Sequence, residues 1–357
     1  MATFGVLTGG GDCPGLNAVI RAVVRRGVAD GHRLIGFHGG WIGIRDDDAV
    51  ELTLENTAGI VTRGGTILGT SRFDPMADGA PGLEALRATL RRRDVEALAV
   101  IGGDGTLGAA RELWQTGFPL VTIPKTIDND VAGTDFSVGF QTAVQIATEA
   151  IDRLHTTAES HNRVMVVEVM GRRAGWIAAS AGLASGADVI LVPERPFRIE
   201  EVCDQLRARH RHGRRFSIVV VAEGAFSDDG SIGLAVTPDR HASGDTAAGV
   251  LTAHPRSLAA PSGIAFLLRD RIEALTGFDT KVTVLGHVQR GGTPVAFDRI
   301  LASRFGVAAA EAMLDGQLGM MMALRGARVI QVDLEEVLAH SKPLDPDLYR
   351  TASVFFG

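Results

Sequence analysis

Lysine is almost missing from this sequence: 33 of the 36 basic residues are arginine, and only Lys125, Lys281 and Lys342 are lysine. Arginine is the default cation here, so a lysine kept inside a motif is more informative than usual. Cysteine is scarcer still. Cys13 and Cys203 stand far apart without metal-ligand spacing, which excludes a disulfide scaffold and fits a reducing, cytoplasmic setting. No apolar run reaches the ~18 residues of a membrane-spanning helix, so no membrane partner is expected. The opening MATFGVLTGGGD has no basic segment before its apolar stretch, so a secretory signal is not expected. Charge of one sign is lacking too: the net charge of −6 leaves no broad basic surface for nucleic acid. Anionic ligands must therefore be held by local sites.

What is present is an ordinary globular composition, 45% hydrophobic and 22% charged over 357 residues. At about 150 residues per domain that length suggests two domains. Short β-branched runs alternate with longer helical patterns. Strands are expected at 4–8, 34–37, 97–101, 120–123, 164–169, 189–192, 218–221 and 282–285. Helical periodicity covers the segment ending near 30 and then 82–93, 107–115, 140–156, 174–183, 200–211, 263–275 and 297–314. Strands separated by helices imply parallel βαβ units, so the fold class is α/β. The stretch 226–261 is polar and weakly periodic and reads as an insertion. The basic runs 207–215 and 91–93 read as solvated helix ends.

In open α/β sheets, ligands gather beyond the C-terminal ends of strands, where helix N-termini offer free N–H groups. Three unusual loops fall there. Thr8-Gly-Gly-Gly-Asp-Cys-Pro-Gly15 can bring backbone amides against phosphate oxygens, or can simply reverse the chain. Ile101-Gly102-Gly103-Asp104-Gly105-Thr106 flanks one carboxylate with glycine, suiting a nucleotide phosphate and its Mg²⁺; alternatively Asp104 caps the next helix. Pro124-Lys125-Thr126-Ile127-Asp128-Asn129-Asp130 sets two carboxylates beside a hydroxyl and an ammonium, so that one can act as base while the other positions metal or water. The plainer alternative is a pair of turn-forming residues. Downstream, Met170-Gly171-Arg172, Glu223 and Gly286–Gly292 follow further strands, and Arg163, Lys281, His287 and Arg290 could bind a dianionic phosphate. Together these loops suggest phosphoryl transfer between two anionic ligands.

The segments TGGGDCPGLNAVIR, RGGTILGTSR, IGGDGT, PKTIDND, AIDRLHTTAESHNRVMVVEVMGRRAGW, LVPE and TVLGHVQRGGTPVAFDRILASRFG resemble the 6-phosphofructokinase family, in its actinobacterial-type branch with lysine in the PKTIDND loop. The likeness runs from Phe4 to about Leu318. It implies two similar three-layer α/β domains with parallel-rich sheets and the active site in the cleft, assembled as a homotetramer that shares sugar sites between neighbours. The donor domain would comprise 1–139 with about 290–340, and the sugar-phosphate domain 140–289 with about 341–357. The resemblance makes Asp128 the base on the 1-hydroxyl of fructose 6-phosphate and Asp104 the organiser of Mg²⁺, with Asp130, Thr126 and Lys125 beside the transferred group. Gly11, Arg72, Phe73 and Gly102, Gly103, Asp104, Gly105 and Thr106 would hold ATP. Met170, Gly171, Arg172 and Glu223 would face the sugar, and His287 and Arg290 the 6-phosphate, with Arg163 and Lys281 added by an adjacent subunit.

Within the family, pyrophosphate users typically carry a bulkier acidic residue where this chain has Gly105, so ATP is the expected donor. Lys125 occurs with both donors and does not decide. Two positions depart from the family. Lys281 replaces an arginine, keeping charge but losing a planar two-pronged donor, which implies a weaker grip on the 6-phosphate or a longer ketose such as sedoheptulose 7-phosphate. At the effector site of regulated relatives Arg21, Arg25 and Arg214 match, but Leu54, His155 and Asp188 do not, so control by ADP or phosphoenolpyruvate is not expected. A pyrophosphate-dependent enzyme and a non-catalytic sugar-phosphate-binding regulator are the competing readings. Against the latter, a chain freed from catalysis has no need of clustered acids that repel one another.

Overall fold

Two parallel-rich sheets organise the chain, and their alternating residues decide what each face packs against. The computed structural model describes residues 1–77, 79–233 and 263–356. The first half contains β1 (Thr3–Thr8), α1 (Leu16–Ala29), β2 (Arg33–Phe37), α2 (Trp41–Arg45), β3 (Ala49–Leu52), α3 (Gly79–Arg92), β4 (Val95–Gly102), α4 (Asp104–Gln115), β5 (Leu120–Pro124) and α5 (Phe140–His161). There follow β6 (Val164–Val169), α6 (Trp176–Ala184), β7 (Val189–Leu191), α7 (Ile199–Arg211), β8 (Ser217–Ala222), α8 (Gly263–Thr276) and β9 (Thr280–Val284). The chain continues with α9 (Ala296–Leu314), β10 (Met320–Arg325), β11 (Arg328–Asp333), α10 (Leu334–Leu338) and α11 (Pro346–Ser353).

Sheet one has the order β11-β10-β5-β4-β1-β2-β3, parallel except at its two edges, where β3 and β11 run antiparallel to their neighbours. Sheet two is all parallel, in the order β7-β8-β6-β9. The two are similar in layering but, among the described residues, unequal in size, seven strands against four. Along β4, Ala97, Ala99 and Ile101 face one core while Leu98 and Val100 face another, the period-two alternation of a strand buried on both sides. In β6, Met165, Val167 and Val169 join the same central core as β4's first set, and Val164 and Val166 pack outward under α7 and α8. One continuous core of α1, α5, α6 and α9 residues therefore lies between the sheets, with outer layers beyond each. Each fully buried aliphatic side chain there contributes about 1.5–3 kcal/mol.

The expected strands and helices are all present, with shifted ends. Helix α5 runs to His161 and stops where Asn162 turns left-handed at φ 52°. Helix α6 begins at Trp176, after the loop Gly171–Gly175. Among the described strands and α-helices, six carried no expectation: β3, β10, β11, α2, α10 and α11. Strand β10, MMMALR, lacks β-branched residues, and its methionines are recruited by pairing with β11 and β5 rather than by propensity. Of the expected insertion at 226–261, only Phe226–Gly233 falls within the described residues; 234–261 lie outside them.

Candidate active site

The C-terminal ends of β1, β4 and β5 carry the three loops singled out in the sequence, and the folded chain presses them together. Gly9 N–H donates to the carbonyl of Ile101 at 2.9 Å, and Lys125 N–H to that of Gly102 at 2.9 Å. A Cβ on Gly9 would lie 2.6 Å from Thr106 Oγ1, and one on Gly102 2.3 Å from Thr106 Cβ, so glycine is required where the loops touch. Ser71 accepts from Gly10 N–H through its carbonyl at 3.1 Å, which brings the Arg72–Phe73 segment to the same loop. Phe73 lies beneath the Arg45 guanidinium, 4.5 Å from its ring centre, and Arg72 is exposed. Asp104 is the first residue of α4 rather than its cap: Gly103 holds the cap position with no side-chain bond.

Lys125 is buried, at 3% exposure, and its ammonium donates to the Gly11 carbonyl at 2.5 Å and the Gly9 carbonyl at 2.9 Å. It stitches the first loop to the third, and burial pulls its pKa below the usual lysine range. Next to it, Asn129 adopts a left-handed conformation at φ 53°; its side chain accepts from Ser137 N–H at 3.0 Å and donates to the Asp135 carbonyl at 3.2 Å. That buried amide braces the turn that carries Asp128 and Asp130 on either side.

Three carboxyls meet at this turn. Asp128 is pushed up to about 7, first by burial and then by the charge of Asp130, against the pull of Arg290 and Arg172. Its Oδ1 is buried without any hydrogen-bond partner. Asp104 opens to solvent, yet the surrounding protein displaces enough water, with help from Asp130 and Asp128, to raise it to about 7. Asp130 is raised by burial, with the Thr126 hydroxyl, Arg173 and Lys342 opposing. A cluster of mutually repelling acids is costly unless a cation or a donor hydroxyl relieves it. Among the described residues no group of three or more ligand-type side chains is arranged to hold a metal by itself. The fit is to an ion such as Mg²⁺ that keeps water and ligand phosphate in its shell and takes only one or two carboxylates, with Asp104 the accessible one.

Sheet two contributes from the opposite side. Glu223 N–H donates to the Val169 carbonyl at 2.9 Å and Gly224 N–H to that of Gly171 at 3.1 Å, zipping the loops after β6 and β8 together. A Cβ on Gly224 would sit 2.0 Å from the Arg172 carbonyl oxygen. After β9, a 3-10 turn at Gly286–Arg290 exposes His287 and sends Arg290 across to sheet one, where its Nη1 donates to the Asp12 carbonyl at 3.3 Å. A Cβ on Gly11 would meet that same Nη1 at 2.5 Å. Gln289 is fully buried and joins this turn to the next loop: its Oε1 accepts from Met170 N–H at 3.2 Å and its Nε2 donates to the Gly286 carbonyl at 3.0 Å. Gln289, Asn129 and Gly224 had no sequence signal beyond lying inside or next to the segments already noted.

Arg163 and Lys281 are not brought to this cluster. Both pair with Asp279, Lys281 at 2.5 Å, where the parallel strands β6 and β9 begin, the end opposite their loops toward the acids. Asp188, which departs from the family's effector-site pattern, is 6% exposed and paired with Arg209 at 2.7 Å.

The phosphofructokinase family model matches residues 3–313. The chain belongs to the phosphofructokinase family. Its relatives include a pyrophosphate–fructose 6-phosphate 1-phosphotransferase of Streptomyces coelicolor, 52% identical with 99% of each chain covered. The ATP-dependent 6-phosphofructokinase 3 of the same organism is 48% identical over 98% of each. Among solved structures, phosphofructokinase from Saccharomyces cerevisiae superposes with a TM-score of 0.80 at 32% identity, covering 95% of this chain and 45% of that one. As a phosphofructokinase-family member, the chain is a phosphotransferase with a hydroxyl group as acceptor and has the family's α/β fold. No helix among the described residues is long and apolar enough to cross a membrane.

Proposed function

We propose that the chain is an ATP-dependent 6-phosphofructokinase, transferring the γ-phosphoryl of ATP to the 1-hydroxyl of fructose 6-phosphate in the cytoplasm. The observation that carries this is the unpartnered, buried Oδ1 of Asp128, raised toward neutrality among Asp104 and Asp130 and flanked by Arg172 and Arg290. An acceptor hydroxyl supplies the missing donor, and a carboxyl poised near 7 can take its proton. Asp104 would hold Mg²⁺, which neutralises charge on the donor phosphates. Thr126 and Asp130 would line the path of the transferred group. Lys125, tied to Gly9 and Gly11, keeps the first loop's amides fixed for the donor alongside Gly103, Thr106 and Arg72. Met170, Gly171, Arg172 and Glu223 would face the sugar, and His287 and Arg290 its 6-phosphate. Positioning and charge neutralisation then supply most of the rate, as in phosphoryl transfer generally.

The ATP reading is supported by Gly105, which is exposed in the first turn of α4 and adds no side chain there. Pyrophosphate is the second reading, supported by the relative that uses it. In this reading sheet one with its loops is the donor domain and sheet two the sugar-phosphate domain. A homo-oligomer is supported by the Arg163 and Lys281 pair held by Asp279 where β6 and β9 begin, and by exposed Val284 and Val288 at and beyond the end of β9. A donor-by-acceptor assay with Mg²⁺ tests the proposal, using ATP and pyrophosphate against fructose 6-phosphate and sedoheptulose 7-phosphate. ATP turnover of fructose 6-phosphate at least tenfold above the other pairs is expected. Preference for pyrophosphate would overturn the argument from Gly105; preference for the longer sugar would trace to Lys281.

A further inference from the structure

The family match ends at residue 313, yet a segment beyond it returns to the acid loop. Between α10 and α11, Ser341 forms an antiparallel bridge with Val131, and Lys342 N–H donates to the Asp130 carbonyl at 3.3 Å. The Lys342 ammonium donates to the Asp135 carbonyl at 2.6 Å, the same oxygen that receives the Asn129 side chain. It also lies 5.0 Å from the ring centre of Trp176, whose indole N–H donates back to the Lys342 carbonyl at 3.4 Å. Two residues on, Leu344 N–H donates to Glu194 Oε1 at 2.8 Å, and Glu194 in turn accepts from Gly175 N–H at 3.1 Å. This strap thus ties the Thr126–Ser137 turn of sheet one to the Gly171–Trp176 loop of sheet two.

Lys342 is one of only three lysines in the chain. A lysine at a solvated helix end would need no explanation, but this one is half-buried over an aromatic ring and beside the acids. Burial draws it down to about 8, while Asp135 and Asp130 favour its charged form, and it in turn favours the ionised form of Asp130. A compact ammonium on a carbonyl already shared with Asn129 has two effects. It locks the turn that aims Asp128 and Asp130, and it places positive charge behind an acid cluster that otherwise repels itself.

We propose that Lys342 is a positioning residue for phosphoryl transfer, holding the Asp128–Asp130 turn and supplying its charge from a C-terminal strap. This rests on the functional reading above. The test compares Lys342→Gln, which keeps an N–H donor without charge, with Lys342→Arg, which keeps both, in the full-length protein. With Mg²⁺ and the best donor–acceptor pair, Lys342→Gln should lower kcat about tenfold while the KM for sugar phosphate stays within about twofold, since aim and charge act on the transition state. Lys342→Arg should recover at least half of the wild-type kcat. Unchanged kcat in Lys342→Gln would overturn the proposal, as would an equal loss in both variants or a loss confined to KM. Should Lys342→Gln not fold, Lys342→Met with the Arg variant repeats the comparison, and an Arg variant that fails to restore kcat overturns it. A wild-type protein that turns over none of the four pairs would instead reject the functional reading itself.

Discussion

At the scale of single residues, the chemistry concentrates where a side chain is forced away from its comfortable state. Asp128 holds an unpartnered oxygen and a proton affinity raised to about 7. Its ionisation is therefore disfavoured in the fold relative to the unfolded chain, where it titrates near 3.8. The folded state binds the extra proton between those two values, so the ligand-free protein loses stability as pH rises from about 4 through about 7. Asp128→Asn should accordingly raise the melting temperature at pH 8, with the gain gone near pH 4, while kcat falls by about 10²–10⁴. Calorimetry at both pH values together with the kinetic assay checks this; a variant that melts lower at pH 8 would contradict the assigned strain. The acid limb of wild-type kcat/KM belongs near pH 7, with activity lost as pH falls through it.

Between elements, contacts of backbone against backbone set the register of the site. The loops after β6 and β8 are joined by Glu223 N–H to Val169 O and Gly224 N–H to Gly171 O, and this brings Glu223 alongside Arg172. Because a Gly224 Cβ would lie 2.0 Å from a carbonyl oxygen rather than from a flexible side-chain tip, the neighbour cannot simply swing aside. Gly224→Ala should cost about 1–3 kcal/mol in denaturant unfolding and lower kcat/KM by displacing Arg172. A wild-type midpoint in that variant would show that the two loops are free to part. Elements follow the same physics elsewhere: Asp298, in the first turn of α9, accepts from Gly139 N–H at 3.0 Å and Thr142 N–H at 2.7 Å, closing the exposed donors of α5 with a side chain distant in sequence.

Across the whole molecule, two sheets of unequal size share one core, and each points its strand ends toward the other. Arg290 crosses that junction to the Asp12 carbonyl, and the Ser341–Leu344 strap crosses it again. Where β6 and β9 begin, Arg163 and Lys281 are held by Asp279, and Val288 and Ile300 are each 61% exposed. Cations so far from the acid cluster can serve a sugar phosphate only if another copy docks there. Specific activity should therefore fall on dilution in step with loss of the assembled species, followed by light scattering and assay on the same samples. Activity that stays constant as the protein dissociates to single chains would remove Arg163 and Lys281 from the site.

The linear chain already determined much of this. Periodicity of two and of 3.6 is a local property, so alternating strands and helices, the α/β class and the strand-end loops with Asp104, Lys125, Asp128 and Arg172 were legible without a structure. Only the tertiary structure decided the rest, because it depends on which distant atoms fill a hydrogen bond or deny water to a charge. Lys125 turns inward to two carbonyls instead of standing open, and Asp104 heads its helix without capping it. Strand β10 forms from methionines through pairing with β11 and β5 rather than by propensity, Gln289 and Asn129 become braces, and a lysine 212 residues beyond Asp130 returns to the acid loop. Burial and long-range contact are properties of the folded whole, and no window of sequence contains them.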